Sequence, residues 1–262
     1  MPADKSERRI RITVSYDGTN FHGWQVQPGL VTVQSELQRV FFALSKTPIL
    51  VQGSGRTDAG VHAIAQVAAF TTTSPIPCIN LLRAMNHLLP GAIRVTSVED
   101  VAPGFHARHD AVSKLYEYRI FRDEICSPFE RPYVHHFPYP ADDQKMIDAA
   151  PLFEGTHDFS AFAAFDERYN SGYSKVRTIF TSTLVREGPR LIYRVRGTGF
   201  LKYMVRNLVG TLIEVGKGNL VTADLQKLLS CGSRADCGGT VPPCGLFLVE
   251  VTYKEGPNPP IA

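Results

Sequence analysis

The sequence predicts an α+β fold made of two ferredoxin-like modules, with mixed, mainly antiparallel sheets forming a central cleft. Three observations predict it. Strand-like alternation and helix-like spacing take turns along the chain. The order strand, helix, strand, strand, helix, strand occurs once in each half. A length of 262 residues fits one large domain or two small ones, with enough chain for a real core.

Each element of the first half has a local cause. "RIRITVSYD" alternates Ile10, Ile12, Val14 and Tyr16 on one face, as a half-buried strand does. "DGTNFHGWQVQPG" is a punctuated loop that nevertheless carries Phe21 and the single tryptophan, Trp24. Thr32 can cap a helix that puts Val33, Leu37, Val40, Phe41 and Leu44 on one side. "TPILVQ" predicts a strand, "GSGRTDAGVHA" a glycine loop, and "VHAIAQVAAFTTT" the next strand. "NLLRAMNHLLPG" predicts a short helix stopped at Pro90 and Gly91, and "AIRVTSVE" closes the unit.

The second half repeats the scheme with longer insertions. "VSKLYEYRIF" predicts a strand and "DDQKMIDAAPLF" a helix. "VRTIFTSTLVRE" and "RLIYRVRG" predict a hairpin across Gly188 and Pro189. "FLKYMVRNLVGTLIEVG" is the most apolar helical stretch, with Phe200, Met204, Leu208 and Leu212 as its core stripe. Thr222 is expected to cap "ADLQKLL", "GLFLVEVTY" to form the last strand, and the tail "EGPNPPIA" to fray. The module boundary falls near "HARHDA", giving residues 1–108 and 109–262.

Composition narrows the class. Hydrophobic residues make up 44% and charged residues 20%, as in ordinary globular proteins, and the net charge of +3 permits an anionic partner without demanding one. The five cysteines form no C-x-x-C pair, which points to reduced thiols in a cytosol-like compartment and to small core residues. "MPADKSERRIRI" lacks the apolar core of a secretory signal, and no stretch is apolar enough to span a membrane, so a cytoplasmic protein is expected. The histidines have no metal-ligand spacing, and neither a metal nor another cofactor is expected.

Chemistry concentrates in a few places. "GSGRTDAGVHA" packs Arg56, Thr57 and Asp58 between glycines 53, 55 and 60. That spacing is not a dinucleotide fingerprint, and a strand follows where a phosphate-binding helix would have to start. A tight turn and a functional loop remain open on spacing alone. Arg206 stands among Met204, Val205, Leu208 and Val209, so its guanidinium either pairs with an acid or snorkels to the surface. Alternation places Lys114, Tyr116 and Tyr118 on one strand face. That face could stack unpaired bases, or it could be a core strand with tyrosines at its rim. The arginine groups 8, 9, 11 and 190, 194, 196, with Lys175 and Arg177, read as solvated faces.

Taken together these blocks resemble the TruA family of tRNA pseudouridine synthases. "GRTDAGVHA", "YDGTNFHGWQVQP", "FHAR", "SKLYEY", "SPFERPY", "GTHDFSAF", "VRTI", "FLKYMVRNLVG" and "PPCGLFLVEVTY" occur in that family's order and cover nearly the whole chain. The resemblance implies a homodimer with a basic RNA-sized cleft, converting uridine to pseudouridine at positions 38, 39 and 40 of the tRNA anticodon stem-loop. It implies that Asp58 is the catalytic carboxylate, that Tyr116 stacks on the target base, that Arg206 pairs with the carboxylate, and that Arg56 helps extrude or hold the nucleotide. His109, Glu117 and Cys244 depart from the family's usual residues; Glu117 faces away from Tyr116 and should touch affinity more than chemistry. A silent RNA-binding module is the rival expectation. A glycosidase is the third, weakened by the lack of a second positioned acid in this loop.

Overall fold

The computed structural model describes residues 7–166 and 172–254, in two units: Met1–Val112 with Leu248–Ala262, and Ser113–Phe247. The first contains β1 (Arg8–Tyr16), α1 (Val33–Ser45), β2 (Gln52–Gly53), β3 (His62–Thr72), α2 (Cys78–Leu88) and β4 (Ile93–Val101). β1 runs antiparallel between β4 and β3, and β2 pairs antiparallel with β3. The spatial order 4-1-3-2 is the ferredoxin-like arrangement. Ile10, Ile12 and Val14 are fully buried, as the alternation of β1 requires, and so are Leu37, Val40 and Phe41 of α1. Phe41 meets Phe70 of β3 edge-on, with ring centroids 4.9 Å apart.

The second unit holds β5 (Ala111–Phe121), β6 (His135–His136), α3 (Asp143–Ala149), β7 (Gly155–Asp158), β8 (Val176–Glu187), β9 (Arg190–Gly197), α4 (Met204–Gly216) and α5 (Thr222–Cys231). Its strands lie in the order β5-β9-β8-β7 with antiparallel neighbours, and the short β6 joins β5 in parallel. The final strand, β10 (Leu246–Tyr253), lies beside β3. Tyr118 and Tyr193, partners across β5 and β9, are fully buried with Phe153, Phe159, Phe162 and Leu208. The predicted α+β class, with mainly antiparallel pairing, is what the structure shows. No helix among the described residues is long and apolar enough to cross a membrane.

Four local expectations need correction. "TPILVQ" is not a full strand: only Gln52 and Gly53 pair. Side chains of α1 take the backbone instead, Gln34 Nε2 donating to the Val51 carbonyl at 2.7 Å and Gln38 Oε1 accepting from the Val51 N–H at 3.3 Å. The apolar helix starts at Met204 rather than Phe200, because Tyr203 takes a left-handed conformation, φ 62°, that ends any helix running into it. Thr222 is the first residue of α5 and not its cap; Asp224 Oδ2 accepts the Val221 N–H at 3.0 Å. The cysteines whose side chains are described are not core residues, since Cys78, Cys126, Cys237 and Cys244 are only half-buried. The side chain of Cys231 and the tail from residue 255 lie outside the described residues.

Candidate active site

The loop carrying Arg56, Thr57 and Asp58 is gripped through its backbone by the punctuated loop at residues 17–24. The Trp24 N–H donates to the Thr57 carbonyl at 3.1 Å, and the Gly60 N–H to the Phe21 carbonyl at 3.3 Å. The Val61 N–H closes a turn onto the Asp58 carbonyl at 3.1 Å. Gly23 makes the close approach possible: its φ is +83°, and a Cβ there would sit 2.6 Å from the Thr57 carbonyl oxygen. Trp24, 1% exposed, backs this contact with its ring 6.2 Å from that of Tyr16.

Side chains complete the brace. Thr57 points inward and shares a buried 2.8 Å hydrogen bond with Tyr16 Oη. Ser54 Oγ donates to Gln66 Oε1 at 2.6 Å, and Gln66 Nε2 donates to the Gly55 carbonyl at 2.9 Å. The Gly18 N–H lies 3.1 Å from Nδ1 of the buried His62, and Asp17 Oδ1 lies 3.2 Å from the same nitrogen. Burial raises the Tyr16 hydroxyl pKa, so the hydroxyl stays protonated and serves as a fixed structural group. The two residues flanking Thr57 differ: Arg56 is exposed and Asp58 half-buried. A turn with no task would not need such a brace around a half-buried carboxylate.

In the second unit, Tyr116 lies on β5 opposite Val195 and is 7% exposed. Phe200 meets its ring edge-on, at 5.0 Å and 80°. The face it shares with Lys114 and Tyr118 is buried rather than open, since each is 9% exposed or less. Tyr118 is therefore a core residue: its hydroxyl donates to the Pro242 carbonyl at 2.8 Å, and burial holds its pKa well above the ordinary value. Open-sheet stacking is excluded for Tyr118, while Tyr116 keeps 7% of its surface exposed.

Arg206 is the third residue of α4 and half-buried. Its Nε donates to the Val241 carbonyl at 2.7 Å, and its guanidinium carbon lies 4.7 Å from the Tyr203 ring centroid. The left-handed backbone of Tyr203 brings that ring under the cation.

The remaining basic groups are largely paired, not solvated faces. Arg8 binds Asp100, Arg11 binds Glu99, and Arg190 meets Glu130. Glu117, on the β5 face away from Tyr116, accepts from Arg119 Nε and Arg194 Nε at 2.8 Å each.

Comparison with known proteins decides the family. A sequence profile described as tRNA pseudouridine synthase matches residues 12–110 and 149–254. The chain is 60% identical to the tRNA pseudouridine synthase A of Solibacter usitatus over 94% of this chain and 100% of that one. It is 43% identical to the protein of the same name from Limosilactobacillus fermentum, over 95% and 98% of the two chains.

The chain belongs to the TruA family of tRNA pseudouridine synthases. As a tRNA pseudouridine synthase it is an isomerase that acts on uridine in tRNA. Two features of this synthase escaped sequence reasoning. Tyr16 looked like the last residue of a strand face, and only its hydroxyl marks it out as more than an apolar residue. The Val241 carbonyl has no sequence signal, because every residue carries one.

Proposed function

We propose that this synthase modifies positions 38, 39 and 40 of the tRNA anticodon stem-loop, with Asp58 as its essential carboxylate. The observation that carries the proposal is the braced Thr57, which holds Asp58 half-buried beside an exposed Arg56. The reaction breaks the C1′–N1 bond of uridine, turns the uracil, and joins C1′ to C5; the C5 proton leaves and N1 gains one. No net electron is exchanged, so the reaction needs no redox partner. A carboxylate at C1′ acts as a nucleophile or as the base that removes a ribose proton, and either route requires it ionised.

The other residues follow from what the detached base needs. A stem nucleotide must leave its stack, at a cost of a few kcal/mol, and Arg56 holds its backbone once it is out. Tyr116 stacks on the base and confines it while it turns. Arg206 pairs with the carboxylate, keeping it charged and at a fixed angle. A homodimer in the cytoplasm is the proposed working form, supported by the family resemblance.

Release of tritium from tRNA labelled at uridine C5 tests the assignment. Wild type releases label, and Asp58→Asn releases none while still binding tRNA. Equal release from both would remove Asp58 from the chemistry, and tight binding without release from either would mark a silent RNA-binding protein. Label lost from uridines outside the anticodon stem-loop would overturn the proposed positions.

A further inference from the structure

We propose that Asn207 is a positioning residue for Arg206, acting through the segment at residues 238–241. It rests on the proposed role of Arg206 at the catalytic carboxylate. Asn207 follows Arg206 in α4 and is fully buried. Its Nδ2 donates to the Phe162 carbonyl at 2.7 Å. Its Oδ1 accepts from Thr240 Oγ1 at 2.6 Å and from Arg234 at 3.1 Å. One side-chain amide thus ties α4 to two separate stretches of chain, using both of its ends. The amide orientation follows from the partners, since only nitrogen can donate to a carbonyl.

Thr240 immediately precedes Val241, whose carbonyl accepts from Arg206 Nε at 2.7 Å. Fixing Thr240 on Asn207 therefore fixes the acceptor that aims the guanidinium. The same segment is also locked at its start. Gly210 of α4 lies so close to Gly238 and Gly239 that a Cβ would collide with the Gly239 carbonyl oxygen. The Gly238 N–H donates to Thr211 Oγ1 at 3.2 Å. Backbone contact at Gly210 and a side-chain amide at Asn207, both on α4, hold the strip that carries the Val241 carbonyl. An arginine on a surface helix needs neither; a guanidinium that must meet a reacting group within a fraction of an ångström needs both.

The test separates aim from folding. Thr240 is itself exposed, so Thr240→Val removes the hydroxyl with little loss of core. It is expected to lower kcat about tenfold with KM for tRNA within about threefold, because misaimed groups cost rate more than binding. Thr240→Ser, which keeps the hydroxyl, is expected to restore kcat. Asn207→Asp keeps the acceptor toward Thr240 and sets an oxygen against the Phe162 carbonyl; it should lower kcat and the thermal midpoint together. Thermal midpoints measured alongside identify any loss that comes from unfolding. Wild-type kcat in folded Thr240→Val and Asn207→Asp overturns the inference, as does a lowered midpoint with kcat intact. Arg206→Lys distinguishes the two levels. If it is inactive while Thr240→Val is unimpaired, the inference alone falls; if it is fully active, the role of Arg206 falls and the inference with it.

Discussion

Tyr16 Oη and Thr57 Oγ1 lie 2.8 Å apart in a buried hydrogen bond between the end of β1 and the centre of the Asp58 loop. Tyr16→Phe leaves a buried hydroxyl without its partner, a loss of about 1–2 kcal/mol in urea unfolding. Thr57→Val should cost a similar amount. Because the two groups satisfy each other, the double variant should be less destabilised than the sum, by about 0.5–1.5 kcal/mol. Strict additivity would mean that the bond does not hold the loop. Since the pair sits beside Asp58, kcat should fall in each variant while tRNA affinity persists.

Gly23→Ala tests the backbone side of the same brace. The substitution meets both a left-handed φ of +83° and the Thr57 carbonyl oxygen 2.6 Å from the new Cβ. A loss of roughly 1–3 kcal/mol is expected in denaturant unfolding, together with a lower kcat. Wild-type stability and rate would show that the two loops do not depend on their close approach.

Acid sensitivity should trace to His135. Burial, with the neighbouring His136, lowers its pKa from 6.5 to about 4. Below pH 6.5 the unfolded chain takes up a proton that the folded chain refuses. The stability concerned is complete above pH 6.5 and is lost as the pH falls toward 4. For a half-buried ring beside solvent the loss is about 1–2 kcal/mol. His135→Phe should flatten the fall in unfolding free energy between neutral pH and pH 4.5; an unchanged slope would assign the acid loss to other groups.

Glu117→Gln should affect stability and spare the chemistry. Its carboxylate, 12% exposed, accepts from Arg119 and Arg194 at 2.8 Å each. Removing the charge is expected to cost about 1–2 kcal/mol, with less difference from wild type at high salt. The rate of label release should stay at the wild-type level, because Glu117 faces away from Tyr116 along β5. A collapse of kcat with stability intact would contradict that separation.

Much of this protein could be read before any coordinates. The alternation of Ile10, Ile12 and Val14 gives the buried face of β1, and the spacing of Val33, Leu37, Val40 and Phe41 gives that of α1, because burial of a repeating face is a local property. Thr32 caps α1 as its side chain suggests, accepting the Ser35 N–H at 3.2 Å. Motifs such as "GRTDAGVHA" are equally local, so the family and the candidate residues Arg56, Asp58, Tyr116 and Arg206 were legible in the order of the blocks.

Tertiary structure alone decided the rest. Periodicity runs "FLKYMVRNLVGTLIEVG" as one helix, yet the left-handed Tyr203 breaks it, and its ring lies 4.7 Å from the Arg206 guanidinium carbon. Alternation groups Lys114, Tyr116 and Tyr118 without saying whether their face meets water or the protein interior, and it is buried. The sequence by itself determined the class and the family, and it singled out the candidate side chains, since these depend on residue type and short spacing. Only the folded chain decided what aims them. The Thr57 and Val241 carbonyls are main-chain groups that every residue owns, and their partners, Trp24 and Arg206, lie 33 and 35 residues away, beyond the reach of any local pattern.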